Sequence, residues 1–345
     1  MPVTTLSTMM SAMSVTATIP AGIPSPSSSV WHIGPIPIRA YALCILTGVF
    51  VAVWWSDRRY RARGGEPEVV LDVAIVAVPA GIIGARIYHV LSSPEAYFGP
   101  GGDPMLAFQI WRGGLGIWGG VALGALGAFI AVKRANVTLG PIADSLAPAL
   151  LVAQAIGRWG NWFNQELFGG PTTLPWGLQI DAYHLPVGYP VGTLFHPTFL
   201  YESLWNLAGA GLIVALDRRR RFAAGQLFGM YLMIYTAGRS WIEMLRIDDA
   251  HTVLGLRLNV WTSLAVFALG LAVYLIAGRL DRPREVVAVA DEQADDAGAE
   301  APDEDGAQDA TTASDIEADD PHAADEEDDG DESQKETSEE AGERH

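Results

Sequence analysis

Seven stretches of this chain are long and apolar enough to cross a bilayer: 38–55, 69–91, 114–132, 141–162, 198–216, 225–245 and 258–277. In hydrocarbon no water is present to satisfy backbone N–H and C=O groups, so such runs fold as helices that bond internally. The expected fold class is an all-α polytopic membrane protein with seven transmembrane helices.

The connecting stretches sort by charge. Those after spans one, three and five, with the segment after span seven, carry Arg58, Arg59, Arg61, Arg63, Lys133, Arg134, Arg218 to Arg221, Arg279, Arg282 and Arg284. The opposite side has only Arg112, Arg246 and Arg257. Basic loops stay on the cytoplasmic side, which places the amino terminus outside and the carboxyl terminus in the cytoplasm. An odd number of spans gives the parity this needs.

The net charge of −18 belongs to one end of the chain. From residue 285 onward there are 25 acidic residues against Lys335 and Arg344, while residues 1–284 hold 20 basic and 15 acidic ones. Residues 285–345 have too few large apolar side chains to form a core, and read as a disordered acidic cytoplasmic tail. Residues 1–30 lack basic residues and a continuous apolar core, so they are expected to be a flexible extension and not a signal peptide. The membrane domain is then 31–284. The lone Cys44 sits among Leu43 and Ile45 and permits no disulfide within one chain. His89 has no second histidine at ligand spacing, so no metal is expected. Neither a cofactor nor a nucleic-acid partner is expected.

The densest polar stretch follows an apolar run from Pro141. It reads Gly157-Arg158-Trp159-Gly160-Asn161-Trp162-Phe163-Asn164-Gln165-Glu166-Leu167-Phe168-Gly169. Arg158 lies 17 residues past Pro141, roughly 25 Å along a helix. An ionisable group inside a span costs a few kcal/mol or more, and such groups usually mark a functional site. A snorkelling arginine flanked by anchoring tryptophans is the plainer alternative. Arg239 lies 14 residues beyond Gly225, roughly 21 Å from the inner surface, and so approaches the same depth. Two interior guanidiniums at similar depth repel unless an anion or carboxylates lie between them, which points to a phosphate site. Glu243 shares a helix face with Arg239 and has a structural reading as its partner.

Other residues keep two readings on physical grounds. Glu202 lies near the start of span five, where the helix dipole favours an anion, and could be a plain cap. Arg86 is either a structural pair or a phosphate ligand. Tyr41 is either an interfacial aromatic or part of a lipid site. Gly116, Gly120 and Gly124 recur every four residues in span three and would let helices approach closely. Between spans four and five, the Gly-, Pro- and aromatic-rich stretch 163–197 is too long for an ordinary connection and is expected to form a small external subdomain.

The stretch at 157–169 resembles the signature G-R-x-G-N-F-x-N-x-E-x-x-G of prolipoprotein diacylglyceryl transferases, which are bacterial inner-membrane enzymes. Similar pieces recur along about 31–284. They are Ile33-Gly34-Pro35 with Arg39-Ala40-Tyr41, Gly84-Ala85-Arg86, and His196-Pro197-Thr198-Phe199-Leu200-Tyr201-Glu202. Arg239 with Glu243 and Arg246, and then Arg257-Leu258-Asn259, complete the set. One position departs: Trp118 stands where many members carry histidine in a G-G-x-x-x-H-G-G segment, and indole cannot accept a proton.

The resemblance implies transfer of sn-1,2-diacylglyceryl from phosphatidylglycerol to the lipobox cysteine thiol behind a prolipoprotein signal peptide. Glycerol 1-phosphate is released, in the first step of lipoprotein maturation. It implies Arg158, Arg239 and Glu243 at the reacting centre, and Arg158, Asn161, Arg86, Tyr41, Glu166 and Tyr235 around the phosphatidylglycerol. The thiol comes from the substrate, so Cys44 can be inert. Glu166, Glu243, His196 and Tyr235 all stand open as proton acceptor. A transporter would spread its charges through the membrane depth, and an intramembrane protease would need a nucleophile with a matched base. Neither pattern is visible.

Overall fold

The computed structural model describes residues 22–285. The extension before residue 22 and the acidic tail from residue 286 lie outside the described residues. After a short extended segment, β1 (Val30–Ile33) pairs antiparallel with β2 (Ile36–Arg39) across a turn at Gly34, whose φ of 60° suits glycine.

Then come α1 (Ala40–Arg61), α2 (Val69–Ser92), the single turn α3 (Glu95–Phe98), α4 (Ile117–Arg134) and α5 (Leu139–Asn164). The short strands β3 (Leu178–Gln179) and β4 (Leu194–Phe195) precede α6 (Thr198–Arg219) and α7 (Gln226–Leu245). A hairpin of β5 (Thr252–Val253) and β6 (Leu256–Arg257) leads directly into α8 (Leu258–Leu280).

Seven of these helices are long, and six are both long and apolar enough to cross a membrane. The exception is α7, whose 20 residues include Gln226, Arg239 and Glu243. Arg239 and Glu243 belong to the site described below, while Gln226 at the other end of the helix hydrogen-bonds with Ala223 and Tyr274. Alternate long helices, α1, α4, α6 and α8, end in Arg or Lys, where cations complement the carbonyl end of the helix dipole.

Four pairings hold the bundle: α2 on α4, α1 on α5, α5 on α6, and α7 on α8. The first depends on glycine, although the tightest point is not in the expected stripe. A Cβ on Gly120 or Gly124 would lie 3.4 Å from Ala85 Cβ or 3.6 Å from Gly81 Cα, which is ordinary contact. A Cβ on Gly119 would instead meet the Gly84 carbonyl oxygen and lie 2.5 Å from Tyr88 Cβ. Gly116, which precedes α4, also lies close against α2: a Cβ there would run into the Tyr88 ring, and its N–H donates to Ala85 O at 2.8 Å. Gly119→Leu is therefore expected to destabilise the fold by about 1–3 kcal/mol through overpacking. Gly124→Ala should stay near neutral. Thermal unfolding of the two purified variants in detergent checks this; equal midpoints would contradict the seam.

Between α5 and α6 the chain builds a small lobe around Phe168, Leu178, Ile180 and Phe195, with Phe199 of α6 beneath it. The lobe recruits the amino-terminal segment. Ile23 N donates to Gly177 O at 2.8 Å, and Gln179 N donates to Ile23 O at 2.9 Å. Trp162 Nε1 reaches Pro24 O at 3.1 Å and Gln165 Nε2 reaches Pro26 O at 3.0 Å. The expectation of a flexible extension through residue 30 is corrected here: residues 22–26 run along the lobe. Pro24 and Pro26 have no N–H to satisfy yet offer carbonyls to donors from the lobe, so a Pro-rich composition does not prevent ordered pairing.

Candidate active site

The site grows from the register of three helices. Arg158 and Arg239 each stand six residues before the last residue of their helix, α5 and α7. Glu202 is the fifth residue of α6. It does not cap its helix. Its carboxylate instead lies between the two guanidiniums: Oε2 is 2.6 Å from Arg158 Nε, and Oε1 is 3.2 Å from Arg239 Nη1. The repulsion expected between two interior arginines is thus resolved by Glu202, which the sequence alone left open as a cap.

The network continues from there. Arg239 Nη2 is 2.7 Å from Glu243 Oε2, one helical turn on. Glu243 is fully buried, and its Oε1 accepts from Arg257 Nε at 2.8 Å and Asn259 Nδ2 at 2.9 Å. Arg246 Nη1 lies 3.5 Å from the same carboxylate. Arg246 and Arg257 both grip Asp248, through contacts of 2.8 Å and 2.9 Å. Burial alone would raise the Asp248 carboxyl, but hydrogen bonds and charge from Arg246 and Arg257 hold it below the usual carboxylate range. The connected set contains four guanidiniums, Arg158, Arg239, Arg246 and Arg257, and three carboxylates, Glu202, Glu243 and Asp248. One positive charge is left uncompensated, which suits a monoanionic ligand.

The aromatic surroundings follow from two glycines. A Cβ on Gly160 would run into the Tyr41 ring, so its absence lets the start of α1 close against α5. Tyr41 lies within electrostatic range of Arg158 and Glu166, and the Tyr235 side chain interacts with Arg158. Gly169 is wedged between α6 and α7: a Cβ there would lie 2.8 Å from His196 Cβ and 3.1 Å from Leu245 O. Its N–H donates to His196 O, and the next N–H, of Gly170, donates to Leu245 O, both at 2.9 Å. The 157–169 stretch therefore stitches the tops of α5, α6 and α7 together.

The remaining candidates occupy distinct places. Asn161 is buried and donates to Glu166 Oε1 at 2.9 Å; Asn164 donates to the same oxygen at 3.1 Å. His196 Nδ1 is 3.1 Å from the Tyr201 hydroxyl. Arg86 is not brought into the network. Its guanidinium donates to the carbonyls of Ala107, Gly113 and Gly114 at 2.7–2.9 Å, and also to Leu106. That guanidinium organises the α3–α4 connection. His89 pairs with the Tyr97 hydroxyl at 2.8 Å. Among the described residues no cluster could hold a metal ion.

Comparison with known proteins agrees with the motifs. The family model for prolipoprotein diacylglyceryl transferase matches residues 28–276. The chain belongs to that family.

Its relatives include phosphatidylglycerol–prolipoprotein diacylglyceryl transferase 2 of Streptomyces coelicolor, 57% identical over 247 residues, or 72% of this chain and 78% of the relative. The enzyme of the same name from Bifidobacterium adolescentis is 51% identical over 280 residues, covering 78% and 83%. That from Paenarthrobacter aurescens is 53% identical over 271 residues, covering 76% and 85%. Within this family member, the network residues to which the sequence reading gave no site role are Arg246, Arg257, Asn259 and Asp248, and Glu202 was left open between an anion favoured by the helix dipole and a plain cap. All but Asp248 sit in the motif pieces noted above. The physical signal for Glu202 was the demand for an anion between two interior arginines.

Proposed function

We propose that this chain transfers the sn-1,2-diacylglyceryl group from phosphatidylglycerol to the lipobox cysteine of prolipoproteins, releasing glycerol 1-phosphate. The observation that carries the reading is the partly buried Arg158–Glu202–Arg239 bridge within a network holding one excess positive charge. The lipid's phosphodiester is a monoanion that would neutralise that excess. Guanidiniums hold phosphate oxygens through paired donors and remain charged in a dry site.

In the reaction the sulfur forms a bond to the glyceryl carbon, and the proton given up by the thiol leaves on the departing glycerol 1-phosphate, whose newly freed phosphate oxygen is basic. The carbon–oxygen bond to phosphate breaks, and its electron pair leaves with the phosphate. Negative charge grows on that oxygen, where Arg158 and Arg239 stabilise it. Glu243 acts through Arg239: its oxygens face guanidinium and amide donors, which suits an orienting role. Trp118, 45% exposed in the first turn of α4, has no atom able to accept a proton. Tyr41, Tyr235, Asn161 and Glu166 line the approach to Arg158. Arg86 supports the neighbouring loop. Thioether formation on a lipobox peptide by the purified chain, with labelled phosphatidylglycerol, tests the reading. Absence of labelled peptide from a folded, monodisperse preparation would sink it.

The same reading makes α7 the seventh span, stabilised by its ion pairs. It sets the lobe at 163–197 outside a bacterial inner membrane, with the amino terminus outside and the carboxyl terminus in the cytoplasm. Val187 in the lobe and Arg220 after α6 are both exposed. In a Cys44→Ser background, Val187→Cys is expected to react with an impermeant maleimide on intact spheroplasts, while Arg220→Cys reacts only after lysis. The reverse pattern would invert the topology.

A further inference from the structure

The ends of α1 and α6 carry a second arginine cluster, far along the helices from the first. Asp217 is met by three guanidiniums: Arg59 at 2.9 Å, Arg63 at 3.1 Å and Arg284 at 2.8 Å. Arg63 is only 7% exposed; it donates to Ser145 Oγ at 2.9 Å, while its Nε is buried with no acceptor. Beside it opens a cavity of about 380 Å³ lined by Arg63, Gly64, Arg221, Arg284 and Glu285. Arg221 makes no ion pair among the described residues. The carboxylates facing this group are Asp217, Glu285 and Asp144. Asp144 already accepts from Gly225 N at 2.8 Å and Phe228 N at 2.9 Å. Four guanidiniums therefore face three carboxylates, one of which is occupied by backbone amides.

A rim of solvated arginines that merely obeys loop charge asymmetry does not bury one of its members or leave that member's N–H without an acceptor. Burial, then repulsion from Arg59 and Arg284, outweigh Asp217 and bring Arg63 down to about 10. A bound anion reverses that repulsion. We infer that this cavity binds a phosphate-bearing anion on Arg63, Arg221 and Arg284, at a site separate from the Arg158–Arg239 pair. Guanidinium forks match phosphate oxygens, and the cavity is roomy enough for a phosphate group.

The test is thermal unfolding of the full chain in zwitterionic detergent at ionic strength held constant with chloride. Inorganic phosphate and short-chain phosphatidic acid are added separately, with phosphatidylcholine as the control. At least one phosphate-bearing additive is expected to raise the midpoint of the unaltered chain and of Arg158→Ala. That rise should fall by at least half in Arg63→Gln. Should Arg63→Gln fail to fold, Arg221→Gln and Arg284→Gln, at more exposed positions, carry the same comparison. A rise with both additives supports free phosphate as a sufficient ligand, and a rise with phosphatidic acid alone supports a lipid headgroup. No rise beyond the controls overturns the site. So does an undiminished rise in both Arg221→Gln and Arg284→Gln, or a rise lost only in Arg158→Ala.

Discussion

Arg158→Lys is expected to slow thioether formation at least tenfold, about 1.4 kcal/mol of transition-state stabilisation, even though it keeps the positive charge. The side chain engages Glu202 through Nε at 2.6 Å, so the ion pair does not use its terminal nitrogens. Those two are the donors suited to bidentate phosphate recognition. Lysine offers one compact ammonium with no fork, and cannot bridge Glu202 and a phosphate in the same geometry. Arg239→Ala should lose at least as much, because Arg239 links Glu202 to Glu243. The alternative in which Arg158 is a snorkelling anchor gives the opposite ranking. Lysine would then substitute well, and alanine would mainly lower insertion or stability. The measurement is turnover per folded molecule on a lipobox peptide, with phosphatidylglycerol affinity determined alongside. If Arg158→Ala and Arg239→Ala both retain near-normal turnover and affinity, the phosphate assignment is wrong.

Much of the fold was legible because a bilayer leaves few options. Apolar runs separated by basic and non-basic loops correspond to long helices, and the expected starts of 69, 198 and 258 coincide with those of α2, α6 and α8. That the two arginines share a level was also legible, since both reach Glu202. Counting helical rise put Arg158 and Arg239 near one level, and they occupy matching positions in α5 and α7. Lateral arrangement was not, because rise along a helix says nothing about which faces meet. Arg86 and Arg158 look alike in sequence, each an arginine near a glycine in an apolar segment. In the structure one is saturated by backbone carbonyls while the other meets Glu202. The amino-terminal segment was misread for a related reason. Its pairing to Gly177 and Gln179 is a backbone contact across more than 150 residues, and composition carries no trace of it.

Glu202 tests the architecture most severely, because two partly buried guanidiniums depend on it. Its side chain is 6% exposed, and those of Arg158 and Arg239 are 20% and 16% exposed. Removing one member of such a group leaves charge without a partner, so Glu202→Ala is expected to destabilise the fold by about 3–5 kcal/mol. Glu202→Gln keeps the volume but loses the charge, and should shift stability in the same direction by less. A helix cap would behave otherwise: alanine would cost about 1 kcal/mol and no anion would compensate. Phosphatidylglycerol provides the discriminating measurement. A ligand that binds only the folded state stabilises it by mass action, and an anion seated between Arg158 and Arg239 replaces the missing carboxylate. The midpoint of Glu202→Ala should therefore rise more with phosphatidylglycerol than that of the unaltered chain. Adding Arg158→Ala to Glu202→Ala should recover part of the lost stability, since the orphaned charge is gone; contacting residues commonly couple by about 0.5–3 kcal/mol. Strict additivity of the two substitutions, with no extra lipid response, would show that Glu202 does not hold the arginines together.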